Sequence, residues 1–354
     1  MMLATLAIPA GVAFAVCALA LLLLVRFAPA LRLLDAPGTH KTHDDHVPAV
    51  GGIAIVAGAL AGIALSPQGL GLGVLATVLF AMLAIGVADD QHGLSPRLRF
   101  LAQIAAALVL AAWSGALLHD FGQLLWPGRV AALGYVAWPV TVFCFVGVLN
   151  ATNMIDGIDG LAGSLVLFAL AAMAWFAWRN DNAPVLAVLG CVGAATLAFL
   201  AFNAPLARRA HAFLGNGGSL VLGCVVAWAV IRLSQGPTRA FAPVTALWLF
   251  AVPLIDTVSV LWRRLSERMS PFAADHSHVH HLLMRGGRTA RATWGLLLVA
   301  GLATTAIAIA GELLRVPESL RFAAFLLAAF AYHAWARRMA SRVPTLAEVR
   351  EAGA

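Results

Sequence analysis

Long apolar runs, broken by short polar segments, fill nearly the whole chain of 354 residues. A membrane-crossing helix needs about 20 apolar residues in succession. On that measure the runs predict eleven spans, at 3–25, 49–65, 69–88, 100–118, 130–149, 160–178, 183–202, 219–231, 241–261, 293–314 and 319–336. The eighth is short, and Arg232 at its end is expected to snorkel. The ninth contains Pro253 and Asp256, so a kinked or broken helix is expected there. No basic residue precedes Arg26, and the first run is longer than a signal-peptide core, which marks it as a retained span. No internal repeat or soluble domain interrupts the pattern. Residues 1–354 therefore read as one all-α, polytopic integral membrane domain.

Eleven spans put the termini on opposite sides. With the N-terminus outside, inner segments hold 17 of the 23 Lys and Arg residues and outer segments hold six. The positive-inside rule then sets the C-terminus inside. Nine of eleven histidines follow, His119 and His333 excepted, as do the acid pairs at 44–45, 89–90 and 156/159. The outer loops are short and carry little chemistry.

Composition agrees with this reading. Apolar residues make up 62% and charged residues 11% of the chain, with a mean hydropathy of +0.90. A soluble domain is about half apolar and about one quarter charged, so soluble, disordered and disulfide-scaffold classes are excluded. The four cysteines lie in apolar runs without metal-type spacing and read as buried hydrophobes. The net charge of +7 is explained by membrane orientation, with no nucleic-acid partner needed.

Chemistry is concentrated in the inner loops. Asp89-Asp90 precedes Leu94-Ser95-Pro96 and Arg99-Phe100 at the end of the third span. Two adjacent carboxylates at a membrane boundary repel one another, and a divalent cation or a proton is the usual compensation. Neighbouring residues on a helix point about 100° apart, so the pair can divide its roles. The second motif runs Asn150, Asn153, Asp156, Gly157, Asp159, Gly160, Gly163. On a continuous helix Asn153, Asp156 and Asp159 would line one side, a set of oxygen donors suited to a hard cation. Small-residue packing accounts for the glycines but leaves the aspartates unexplained.

Asn203 opens a third loop, whose Gly215-Asn216-Gly217-Gly218 precedes a helix and could offer N–H groups to phosphate. In the longest loop Arg263 and Arg264 are followed by Met269-Ser270-Pro271-Phe272, Asp275, and His276, His278, His280 and His281. The histidines admit a zinc site. The arginines favour an anionic substrate or anionic lipid instead. The first inner loop carries Lys41, the only lysine, beside His43, and phosphate binding is one reading of it. Together the loops hold what a nucleotide diphosphate and a divalent cation would need at a membrane surface.

These motifs, in this order, resemble the polyprenyl-phosphate N-acetylhexosamine-1-phosphate transferases over about the whole chain, and most nearly the bacterial WecA-type branch. The resemblance implies transfer of N-acetylglucosamine-1-phosphate from UDP-N-acetylglucosamine to undecaprenyl phosphate with Mg²⁺, Mn²⁺ being a substitute. The products would be UMP and undecaprenyl-pyrophosphate-N-acetylglucosamine, the first membrane step of a cell-surface glycan. It implies a bacterial inner membrane, a periplasmic N-terminus, a cytoplasmic site, contact with membrane lipids and room for a homodimer. It assigns Asp89, Asp90 and Asp156 to catalysis, and Asp90, Asn153 and Asn216 to the metal. Lys41, His43, Asp159, Asn203, Arg263, Arg264, His278, His280 and His281 would bind substrates.

Two positions depart from the family pattern. Asn216 stands where the family has aspartate, and His40 where it more often has arginine. Asn216 is also the one feature that supports an inactive scaffold. A secondary transporter would need ionisable groups near mid-membrane, and only Asp256 lies where a span could place one.

Overall fold

A computed structural model describes residues 2–28, 47–205, 210–270 and 277–342. Lys41 and His43 lie outside the described residues, as do Asp275 and His276. The regular elements among the described residues are helices, and the connecting segments carry two isolated β-bridges, Asp120 with Ala132 and Trp126 with Arg129. The helices are α1 (Met2–Phe27), α2 (Gly51–Leu65), α3 (Gly73–His92), α4 (Pro96–Trp113), α5 (Ala137–Ile155), α6 (Leu161–Arg179) and α7 (Ala183–Asn203). There follow α8 (Gly215–Ser234), α9 (Pro243–Leu249), α10 (Ala251–Ser266), α11 (Val279–Arg285), α12 (Ala290–Leu313) and α13 (Glu318–Arg342).

Nine helices among the described residues are long and apolar enough to cross a membrane, and the pair α9 and α10 makes ten if it counts as one span. The expected eleven are reached only if α2 also crosses. It has 15 residues, about 22 Å of helix. At its start Gly51 N–H donates to Phe213 O, ahead of α8, and near its end Gly62 packs on Pro9 O of α1. It thus runs between the same two ends of the bundle as its longer neighbours.

α8 is the central post, buried over 89% of its most apolar stretch against 17% for the peripheral α13. Its start is a run of glycines, and the neighbouring backbones close on it. A Cβ on Gly86 of α3 would lie 2.2 Å from Gly217 Cα, and one on Gly52 of α2 would lie 2.3 Å from Gly218 N. Side chains at those positions would hold α2, α3 and α8 apart.

The ninth expected span is broken, by 85° between α9 and α10. Pro253 has no N–H to continue a helical ladder, and it sits in the first turn of α10, where none is needed. Asp256, Ser259 and Arg264 of α10 are buried, while Val258, Leu261, Trp262 and Leu265 are exposed. Polar groups face the protein and apolar ones face outward, the reverse of a helix on a soluble domain.

The end expected to lie outside is richer than the sequence reading allowed. Arg321 donates to Glu312 (2.7 Å) and to Thr245 Oγ1 (2.8 Å), and Glu312 also accepts from Ala242 N–H (2.9 Å). Arg239 pairs with Glu318 at 3.4 Å and Asp120 at 3.7 Å, fastening the bridged loop after α4. Apart from Arg321 and Glu312, nine residues apart, these partners are distant in sequence, so the charges looked like ordinary loop residues. Arg232 is half-buried, with its guanidinium packed close to Gly115 in the loop after α4.

Candidate active site

The ends of α3, α5 and α8 meet, and their polar residues bond to one another. Gly93, in the left-handed region at φ 63°, stops α3 and donates to Asp89 O (2.9 Å). Ser95 then caps α4, which brings Arg99 back over the turn. Asp89 is 8% exposed and accepts from Leu94 N–H (2.9 Å), Arg99 Nη1 (2.7 Å) and Asn216 Nδ2 (2.9 Å). Asp90 points elsewhere, as the helical offset of adjacent residues requires. Its two oxygens accept from Asn216 N–H, at 3.1 and 3.0 Å, in the first turn of α8. A carboxylate at a helix N-terminus is favoured by the helix dipole.

Asn216 links both acids to α5. Because the Asp89 carboxylate only accepts, the Asn216 amide nitrogen must face it. Asn216 Oδ1 therefore takes the bond from Asn153 Nδ2 (2.7 Å), which also reaches Ser219 Oγ at 2.9 Å. Asn153 Oδ1 stays outside these bonds and is available as a donor to a cation.

Residues 153–159 do not form one continuous helix, the condition on which the three side chains would share a face, and the stretch runs into the loop expected between the two spans. α5 ends at Ile155, and Asp156 is its cap residue, with Asp159 in the turn before α6. Gly160 at φ +74° takes a left-handed turn that a helix cannot contain. Asp156 and Asp159 are half-buried in this turn, beside the end of α5 instead of along its face. Asn203 braces the turn from behind. It is buried, its Oδ1 accepting from Gly160 N–H (2.7 Å) and its Nδ2 donating to Ala212 O (2.8 Å).

The histidines close the other side. Gly157 lies directly under His280, and a Cβ there would be 1.9 Å from Nε2. This contact joins the Asp156–Asp159 turn to α11. His280 is 1% exposed and stacks with His278 at a ring separation of 6.0 Å. Burial, and then the neighbouring His281 and His278, hold the His280 pKa well below the usual imidazole value. Arg263 donates to Ser277, next to His278, and Arg264 is buried on α10. No group of three His, Cys, Asp or Glu side chains converges as a metal site among the described residues, so the zinc reading has no support there.

Several contributors escaped the sequence reading. Arg99 was visible in its motif without a role. Asp256 looked like a mid-membrane acid, yet it accepts from His278 Nδ1 at 2.7 Å and Val279 N–H at 2.9 Å. Tyr332 on α13 donates to Asp256 at 2.5 Å, and a lone tyrosine in an apolar span gives no sequence signal.

The comparisons with known proteins bear on this arrangement. The model of glycosyl transferase family 4 matches residues 72–234, which contain the Asp89, Asn153 and Asn216 cluster. The chain is 33% identical over 316 residues to an undecaprenyl-phosphate alpha-N-acetylglucosaminyl 1-phosphate transferase of Escherichia coli K12, covering 87% of this chain and 84% of that one. The chain belongs to this transferase family. A Pasteurella multocida member is 33% identical over 337 residues, 92% of this chain and 94% of its own. A Yersinia pestis member is 31% identical over 303 residues, 85% and 83% of the two chains.

Proposed function

We propose that the protein transfers N-acetylglucosamine-1-phosphate from UDP-N-acetylglucosamine to undecaprenyl phosphate at the cytoplasmic face of a bacterial inner membrane. A lipid-phosphate oxygen bonds to the sugar-bearing phosphorus, and the pyrophosphate bond to UMP breaks. The observation that carries the reading is the meeting of Asp89, Asp90, Asn153 and Asn216 from three helix ends, in a chain similar over most of its length to transferases of that name. The charge asymmetry of the loops supports the cytoplasmic side.

The donor chemistry fits Mg²⁺, with carboxylate and amide oxygens and no thiolate. Asp90 and Asn153 Oδ1 would hold it, with Asn216 close by. When bound, the ion offsets the charge of the two phosphate substrates. Arg99 holds the Asp89 carboxylate in place, and the first turn of α8 does the same for Asp90. Asp156 and Asp159 present carboxylates beside this cluster, and Arg263, His278, His280 and His281 face the nucleotide sugar. Lys41 and His43 would contact phosphate from the first inner loop.

The test is UMP release by the purified protein from UDP-N-acetylglucosamine. Release is expected to require both undecaprenyl phosphate and Mg²⁺, to stop in EDTA, and to vanish in a folded Asp90→Asn variant. Release without the lipid phosphate, or undiminished in Asp90→Asn, would reject the assignment.

A further inference from the structure

We infer that Asp256 and Tyr332 are positioning residues that fix the ring of His278 for the nucleotide sugar. The inference rests on reading His278 as a substrate contact. Asp256 is 1% exposed, and its carboxylate gathers three donors from two further parts of the chain. Oδ2 accepts from His278 Nδ1 (2.7 Å), while Oδ1 accepts from Val279 N–H (2.9 Å) and Tyr332 O–H (2.5 Å). A buried carboxylate is costly unless its lone pairs are met, and here they are.

The geometry decides which ring nitrogen does what. An ionised carboxylate only accepts, so the proton facing it sits on His278 Nδ1. Nε2 is left as the nitrogen for substrate, and the ring cannot rotate without breaking the bond to Asp256. Val279 N–H on the other oxygen holds the backbone that carries the ring. Tyr332 restrains the carboxylate in turn, so a side chain midway along α13 sets the orientation of one at the start of α11. The bond from Arg263 to Ser277 steadies the preceding residue but leaves the imidazole plane undetermined.

A purely structural role would tie α10, α11 and α13 together and lower stability when removed, whatever stands at 278. Action through His278 predicts that the loss disappears once that imidazole is gone. The experiment is a double-mutant cycle of Asp256→Asn with His278→Gln, measuring kcat, KM for UDP-N-acetylglucosamine, and Tm in detergent. Each single variant is expected to lose about 10–100-fold in kcat/KM, the usual size of such orienting effects. The double variant is expected to match His278→Gln alone.

Tyr332→Phe is expected to lose several-fold, and nothing further in the His278→Gln background. It runs the same cycle if Asp256→Asn does not survive purification. Losses that multiply, or a wild-type kcat/KM in both Asp256→Asn and Tyr332→Phe, would overturn the inference while leaving His278 as a contact. A wild-type kcat/KM in His278→Gln would remove His278 from the site, and the inference with it.

Discussion

At Asn216 a single amide does what a carboxylate could not. Its nitrogen donates to Asp89 at 2.9 Å, while its oxygen accepts from Asn153 at 2.7 Å. An aspartate there would set two anions against each other and require a cation or proton between them. Asn216→Asp is therefore expected to lower Tm in EDTA, by about 1–3 kcal/mol of lost stability. It is also expected to make Tm rise steeply with added Mg²⁺ and to lower the Mg²⁺ concentration for half-maximal UMP release. Thermal melts across a Mg²⁺ series check this, and a Tm indifferent to the ion in both proteins would contradict it. Substitution of the expected aspartate was legible in the sequence. The exchange of partners that accommodates it was not, because Asn153 and Asp89 are placed beside Asn216 only by helix packing.

The helices meet at their ends because glycines let them. The backbones of α3 and α8 touch at Gly86 and Gly217, one turn before Asp89. Gly86→Ala would drive a methyl into backbone, which cannot rotate away as a side chain can. The expected result is about 1–3 kcal/mol of destabilisation from overpacking, or more. A drop in kcat is expected with it, as Asp89 and Asp90 withdraw from Asn216. Melting and turnover on one preparation test this, and a lower Tm with unchanged kcat would separate packing from the site. At this scale the sequence told much. Apolar runs gave nearly every span, and Pro253 announced the break in the ninth. The loop at 150–160 was legible too, but not which face its acids take, because α5 ends at Ile155 and Asp156 at ψ 52° leaves the helix before the spacing of three can line them up.

The whole molecule has two polar ends with different work. The end bearing Asp89 and His280 gathers buried and half-buried polar groups around the candidate site, whereas the far end is closed by Arg321, Glu312 and Thr245. Arg321→Gln leaves Glu312 with a weaker partner in a largely buried setting, where breaking a pair costs about 3–5 kcal/mol. Tm is expected to fall with KM for UDP-N-acetylglucosamine unchanged, and a raised KM would show that the two ends communicate. Loop charges conveyed the asymmetry in advance, since counting needs no partners. Neither the network of Arg321 nor the link from Tyr332 to His278 could be counted out in this way, because each joins residues more than 50 positions apart.

The link through Tyr332 also bears on how the protein is made. Every member of the Asp89, Arg99, Asn153 and Asn216 cluster has been synthesised once residue 234 is complete. His278, by contrast, awaits a hydroxyl that emerges almost a hundred residues later. A nascent chain paused between residues 279 and 332 carries the acidic half of its site and His278 with its Asp256 partner, but not the hydroxyl that restrains that carboxylate. Translation order thus withholds the finished site until the last helix has entered the bilayer.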